Sequence, residues 1–302
     1  MSTTKRSSRD EVASAAAARA LKQKKERLMT FISYILLTLG AIFMVYPFLW
    51  MLNTSLSPLN TLWEPKAHWW QYWTPAGFEY QNFSKVLQLK FLPFLGAYWN
   101  SLFVSFWTTL GVVFTSSLAG YAFGRLTFPG REKIFFAYLA TMMIPGTVTM
   151  IPVFILLKKL NLIDTYWAVI LPAMFTAYGT FMLRQFFMTL PKDLEDAAKI
   201  DGCSLFGIYW RIILPLSKPA LATLGTFTFM GSWMSFMWPL IVLNSKELYT
   251  LPVLLSYFQS QYNTNYTMLM AASVMYVLPI IIVFLICQRF FVEGIKLSGI
   301  KG

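Results

Sequence analysis

Of 302 residues, 57% are hydrophobic, 18% aromatic and only 13% charged, a composition outside the range of soluble domains. The formal charge of +12 comes from residues that flank apolar runs and do not gather on one soluble face, which argues against nucleic-acid binding. With one histidine and two cysteines, Cys203 and Cys287, the chain has no Cys/His cluster at metal-ligand spacing, and a structural disulfide is not expected.

In chain order, the first segment is the basic "ASAAAARALKQKKERL". It reads as a helical lead-in whose positive charge meets anionic lipid. It lacks a small-residue cleavage site after a short apolar core, so it is not read as a signal peptide. Six stretches follow that approach or exceed the ~20 residues needed to cross a bilayer as helix. They predict spans near 31–52, 98–123, 134–157, 166–188, 219–243 and 267–290. With both termini cytoplasmic, 19 of the 25 Lys and Arg residues fall on the inside, as the positive-inside rule requires. Lys158-Lys159, on a short outer loop, is the awkward pair.

The first outer loop holds "HWWQYW" with the sole histidine, His68, for which a surface or packing role outweighs catalysis. No Asp, Glu, His, Lys or Arg lies within 98–123, 134–157, 166–183, 219–243 or 267–288. A proton-driven carrier needs a group at depth that changes its charge, so that mechanism is disfavoured; a sodium-driven carrier, which can use backbone carbonyls, is less so. Ser116, Ser117 and Ser232 have no plausible base partner, and helix packing accounts for them. "GCSLFGIY" spaces two glycines like a phosphate-binding loop but has Ile208 and Tyr209 where that loop needs Lys and Ser/Thr, so it does not hold ATP in that way.

Between the fourth and fifth spans the composition changes. "PKDLEDAAKIDGCSLF" carries four carboxylates, Asp193, Glu195, Asp196 and Asp201, around Ala197 and Ala198. Asp193 is placed to cap a helix with Asp196 near its positive end. Glu195 and Lys199 stand at i,i+4, Gly202 is a natural stop, and Ser204 begins a second helix through Arg211, broken at Pro215. Two readings are open: a solvated loop helix with ordinary charged faces, or a protruding helix, thinned by small residues, that plugs a cleft in a partner.

The stretch "EDAAKIDGCSLFGIYWRIILPLSKPALA" resembles the EAA loop of binding-protein-dependent ABC importer permeases. Ala197-Ala198, Asp201-Gly202 and Ile212-Ile213-Leu214-Pro215 fall at the motif's spacing; Asp196 stands at its glutamate position with Glu195 beside it, and Cys203 where alanine is common. "SLAGYAFGRLTFPGREKIFF", "GSWMSFMWPLIVLNSKELYTLPVLL" and "RFFVEGIKLSGIKG" are similar to the six-helix permease subunit of maltose-type carbohydrate importers, so the resemblance covers residues 30–302. It implies an all-α polytopic membrane protein with the ABC type I importer permease fold. A basic tail over 1–30 would precede the permease domain over 31–291, with its loops at 191–215 and 244–266, and a cytoplasmic tail over 292–302 would follow.

The resemblance also implies function. Such a subunit forms half of an inner-membrane pathway with a second permease subunit; an ATPase subunit pair drives it and an extracytoplasmic solute-binding protein delivers the carbohydrate. It would hold no metal or cofactor of its own, ATP and magnesium residing on the ATPases. Glu195, Asp196, Ala197, Ala198, Asp201 and Gly202 would seat in the ATPase cleft, and Lys296 and Lys301 of the tail would reach the same partner, unless that tail is merely basic and frayed. In the loop Asn244–Tyr266, Tyr257, Gln259, Gln261 and Tyr262 would probe the binding protein, interfacial anchoring being the competing role for the aromatics. Trp233, Phe236 and Trp238 are pathway candidates because aromatic faces stack on the C–H faces of sugars, although packing or lipid contact also explains them. The alternatives kept open are import of glycerol phosphate or another polar solute, and an ion-driven carrier in which 191–215 is only structural.

Overall fold

The computed structural model describes residues 3–65, 67–89, 93–258 and 265–299, with side chains from residue 22 to residue 288 within those ranges. Among the described residues every regular element is helical. Besides four short 3-10 turns, they are in chain order α1 (Thr3–Ser55), α2 (Gln81–Leu87), α3 (Phe94–Arg125), α4 (Arg131–Ala140), α5 (Gly146–Lys159), α6 (Tyr166–Ala173) and α7 (Ala177–Thr189). After these come α8 (Asp193–Ile200), α9 (Leu205–Ile208), a π-helical segment (Tyr209–Ile213), α10 (Leu214–Leu216), α11 (Lys218–Trp233), α12 (Met237–Val242), α13 (Leu251–Ser256) and α14 (Tyr266–Gly299).

Three helical stretches, Lys22–Ser55, Phe94–Arg125 and Tyr266–Gln288, are long and apolar enough to cross a membrane unaided, and three bent pairs bring the total to as many as six. The expected third span, 134–157, is therefore not one rod. It turns by 99° between α4 and α5, because Pro145 drives Ile144 out of the helical region, to φ −85° and ψ 115°. The expected fifth span, 219–243, also divides. α11 ends at Trp233 and α12 starts at Met237, since Pro239 has no N–H for the Ser235 carbonyl and its ring would clash there. Neither boundary expected near the termini is marked by a break: α1 runs through residue 30 and α14 through residue 291.

α3 is the axis of the bundle. Ala97, Ser101, Val104, Thr108, Val112, Ser116 and Gly120 are buried along it, a stripe at helical spacing that packs against α7 and α11. Close approach to α7 depends on glycine: a Cβ on Gly120 would lie 3.1 Å from the Arg184 nitrogen, and one on Gly179 2.5 Å from the Ser116 hydroxyl. Apolar side chains gather in three places. Tyr121, Leu183, Phe187, Ala198, Ile208 and Tyr209 join α3 and α7 to α8 and α9. Val104, Ile170, Val242 and Val253 pack nearer the other end; Phe94, Trp233, Leu251 and Ala272 form the third group. The apolar stretch of α1 buries none of its residues within the chain; it meets the bundle along α14.

Candidate functional site

The acidic helix α8 begins one residue earlier than a cap at Asp193 requires. Lys192 is the N-cap, with no side-chain bond, and Asp193 is the first helical residue. Asp193 and Asp196 still stand in the first turn, where the helix dipole favours negative charge. The other end is a Schellman stop. Gly202 sits at φ +78°, its N–H donates to the Lys199 carbonyl at 3.0 Å and the Cys203 N–H to the Ala198 carbonyl at 2.9 Å. Cys203 packs against the apolar group that contains Ala198. Ser204 then accepts from the Gly207 N–H at 3.1 Å and starts α9.

This geometry divides the predicted contact residues. Asp196, Ala197, Asp201 and Gly202 are exposed. Glu195 and Ala198, one helical turn apart, are buried within the chain at 5% and 6% exposure. The Glu195–Lys199 pair does not form; Lys199 bonds Asp196 at 3.0 Å instead. The Glu195 carboxylate accepts from the Arg125 guanidinium at the end of α3, with the two side chains only 7% and 3% exposed. Around α8 the surface is apolar: Ile200 is 87% exposed, and Leu205, Phe206 and Trp210 are also open.

The Arg125 contact does not follow from the sequence pattern, and it belongs to a series. Arg125 also donates to the Leu190 carbonyl at 3.0 Å and the Phe187 carbonyl at 3.2 Å. These carbonyls close the C-terminal end of α7, where Pro191 has no N–H to give and the Phe187 carbonyl otherwise accepts from the Leu190 N–H at 3.1 Å. One turn back, the Tyr121 hydroxyl donates to the Leu205 carbonyl at 3.3 Å. A further turn back, the Ser117 and Tyr209 hydroxyls bond at 2.7 Å. The spacing 117, 121, 125 is visible in the chain; the partners, 62 to 92 residues away, are not.

A second arginine reciprocates. Arg184 of α7 donates to the Phe123 carbonyl at 3.1 Å and to both Glu132 oxygens at 2.9 Å, and lies 4.0 Å above the Phe135 ring. Each of α3 and α7 thus grips the segment that follows the other.

α3, α6, α7, α11 and α12 line an open-sided cavity of about 380 Å³. Thr108, Thr176, Tyr178, Thr228, Ser232, Ser235 and Trp238 supply its polar wall, and among the described residues no Asp, Glu, His, Lys or Arg lines it. The Thr108 hydroxyl is buried and meets no protein partner. Trp238 presents its ring here while its Nε1 donates to the Ala168 carbonyl at 3.0 Å. Trp233 is turned elsewhere: it is 1% exposed, stacks between Phe229 and Tyr276 with centroids 5.9 Å away, and donates to the Tyr276 carbonyl. It is a packing residue, because its ring completes the third apolar group. Phe236 does not line this cavity. Among the described residues no three His, Cys, Asp or Glu side chains converge as metal ligands.

At the far end Asp164, in the left-handed region at φ 62°, accepts from the Asn244 and Ser245 N–H groups at 2.8 and 2.9 Å. Its own N–H donates to the Val242 carbonyl at 2.8 Å. The Ser245 hydroxyl, which donates to the same carboxylate, chiefly holds it below the usual carboxylate range. Tyr257 stacks on Tyr249 at 5.4 Å, and their hydroxyls meet at 3.1 Å. Gln259, Gln261, Tyr262 and Lys301 lie outside the described residues, and Lys296 falls within α14 beyond the described side chains.

The family described as binding-protein-dependent transport system inner membrane component matches residues 114–297. The arabinooligosaccharides transport system permease protein AraQ of Bacillus subtilis (strain 168) is 45% identical over 205 residues, covering 68% of this chain and 73% of that protein. AraQ of Halalkalibacterium halodurans is 36% identical over 286 residues, covering 93% of this chain and all of that one. In fold, a chain from the crystal structure of a bacterial ABC transporter involved in the import of the acidic polysaccharide alginate superposes with a TM-score of 0.79. It is 23% identical, covering 88% of this chain and 98% of that one.

Proposed function

The chain belongs to the family of binding-protein-dependent transport system inner membrane components, and on that premise we propose that it is the permease forming half of the pathway of an ATP-driven importer for neutral carbohydrate, an oligosaccharide in particular. The relatives named for arabinooligosaccharide transport support the substrate class. The observation that carries the reading is the cavity wall: hydroxyls, one tryptophan face and no charge. Hydroxyl groups exchange hydrogen bonds with sugar hydroxyls at little net cost, and an indole face receives the apolar face of a pyranose or furanose ring. A phosphorylated solute would enter that wall with no cation to offset its desolvation.

In this reading α8 lies on the cytoplasmic side, as do both termini. Its exposed carboxylates and apolar neighbours seat in an ATPase subunit; ATP and magnesium bind there, and this chain carries no cofactor. ATPase closure moves α8 and opens the cavity outward, where an extracytoplasmic binding protein releases its sugar into the space shared with a second permease subunit. The outer loop from Asn244 and the tail bearing Lys296 and Lys301 would contact the binding protein and the ATPases respectively.

The test is uptake into vesicles holding this chain with a second permease and an ATPase pair, with the binding protein outside. ATP-dependent accumulation of arabinotriose that ceases when the ATPases are omitted is the expected result. Uptake without ATPase, or of glycerol phosphate in preference to sugar, overturns it.

A further inference from the structure

Motion imposed on α8 has three routes into the bundle, and two are compliant. Backward along the chain, α8 joins α7 through Leu190, whose φ −72° and ψ 142° are extended, and α7 itself meets α6 at a bend of 42°. Forward along the chain, the path runs through a π-helical segment, then turns by 77° before α11. π-Helical turns and bends absorb displacement. The third route leaves the chain. Arg125, Tyr121 and Ser117 bond α8, α9 and the π segment to α3, which continues as 32 helical residues without an internal proline. Thr108 and Val112, on the cavity wall, belong to the same helix, about 25 and about 20 Å from Arg125 at 1.5 Å per residue.

We propose that Arg125 is a positioning residue that, with Glu195, fuses α8 to α3, so that the cavity is moved through these non-covalent bonds and not along the polypeptide. The guanidinium suits the task because its planar fork serves a carboxylate and several carbonyls at once; an ammonium would hold only one geometry loosely. Burial of both partners removes competing water, so the joint stays closed under load. Glu195 faces inward for this reason, leaving Asp196 as the carboxylate at the outer surface.

The inference rests on the proposed function, and the experiment separates the two. In the complete vesicle system, ATP hydrolysed per sugar imported is measured for the wild type, Glu195→Ala, Glu195→Gln and Arg125→Lys. The expected result is a ratio raised about tenfold in Glu195→Ala and Arg125→Lys, within the range of an ordinary coupling free energy, and raised less in Glu195→Gln, which retains a hydrogen bond. Glu195→Gln keeps its shape, so the measurement stands even if the alanine variant fails to assemble. A wild-type ratio in assembled Glu195→Gln and Arg125→Lys complexes overturns the joint while leaving the function intact; a wild type that imports no sugar overturns the function. A second readout is specific to the lever. Spin labels at the exposed Lys192, the N-cap of α8, and at the exposed Phe114 of α3, with Cys203 and Cys287 replaced by alanine, should keep one separation with and without ATP. In Glu195→Ala that separation should broaden; equal distributions in the two proteins overturn the proposal.

Discussion

The C-terminal end of α3 and four hydroxyls nearer its middle differ in how they are satisfied. At its C-terminal end Arg125, Tyr121 and Ser117 each find a partner, and the strongest contact is an ion pair enclosed by protein. Toward its middle, the hydroxyls of Ser105, Thr108, Thr109 and Ser116 are buried with no protein partner. A buried polar group without a partner costs about 1–3 kcal/mol, so this contrast is an expense tolerated for a purpose. The end of the helix has to hold one geometry; of these four hydroxyls Thr108 lines the space through which different hydroxyl-rich molecules are proposed to pass, and a fixed hydrogen bond there would have to break each time.

The largest expected break in that contrast is Arg125→Ala. It leaves the Glu195 carboxylate buried and unpaired, for a loss of about 3–5 kcal/mol, measured as a lowered thermal midpoint of the purified complex. Next is Gly120→Val. The added Cβ presses on backbone of α7 at 3.1 Å, and pushing the helices apart should cost about 1–3 kcal/mol while loosening both ends of α3 together. Gly202→Ala forces a side chain into the left-handed region at φ +78° for about 1–2 kcal/mol. Its effect should appear as reduced sugar uptake per ATP, because it re-aims only the exposed tip of α8.

Thr108→Val reverses the sign. Removing a hydroxyl that has no protein partner should leave stability within about 1 kcal/mol of the wild type or raise it, yet slow sugar transit in the vesicle assay. A clear loss of stability would mean that hydroxyls in the middle of α3 are bonded as firmly as the groups at its end. The smallest effect concerns Asp164. Its carboxyl is held below the ordinary value, so its contribution is complete above about pH 4 and disappears as the pH falls through the lower folded value. Hydrogen exchange at the Asn244 and Ser245 amides should accelerate only in that acid range, and Asp164→Asn should remove the dependence.

Much of this is legible in the chain. Uninterrupted apolar runs mark the spans, because nothing else tolerates their length, and Gly202 and Ser204 mark the limits of α8 and α9 because their backbone roles are local. The elbows are harder to read. Pro145 and Pro239 stand in plain view, but whether a proline kinks or ends a membrane helix depends on what neighbours can bond to the freed carbonyls. The site divides along the same line. Small residues and charge locate α8, whereas its facing does not follow from spacing: Lys199 could reach Glu195 or Asp196, and the choice is settled by Arg125, 70 residues earlier. Trp233 misleads for a related reason, since an aromatic on a membrane helix looks the same in sequence whether it faces a pore or the rings of Phe229 and Tyr276.

The reciprocal grip of Arg125 and Arg184 has a further consequence, for biosynthesis. When the nascent chain has delivered α3 to the bilayer, the partners of Arg125 are still 62 to 70 residues from translation, and Glu132 waits 52 residues for Arg184. Neither helix end can settle until both have left the ribosome. A truncated product stopping short of Phe187 would leave the Arg125 guanidinium without any of these acceptors.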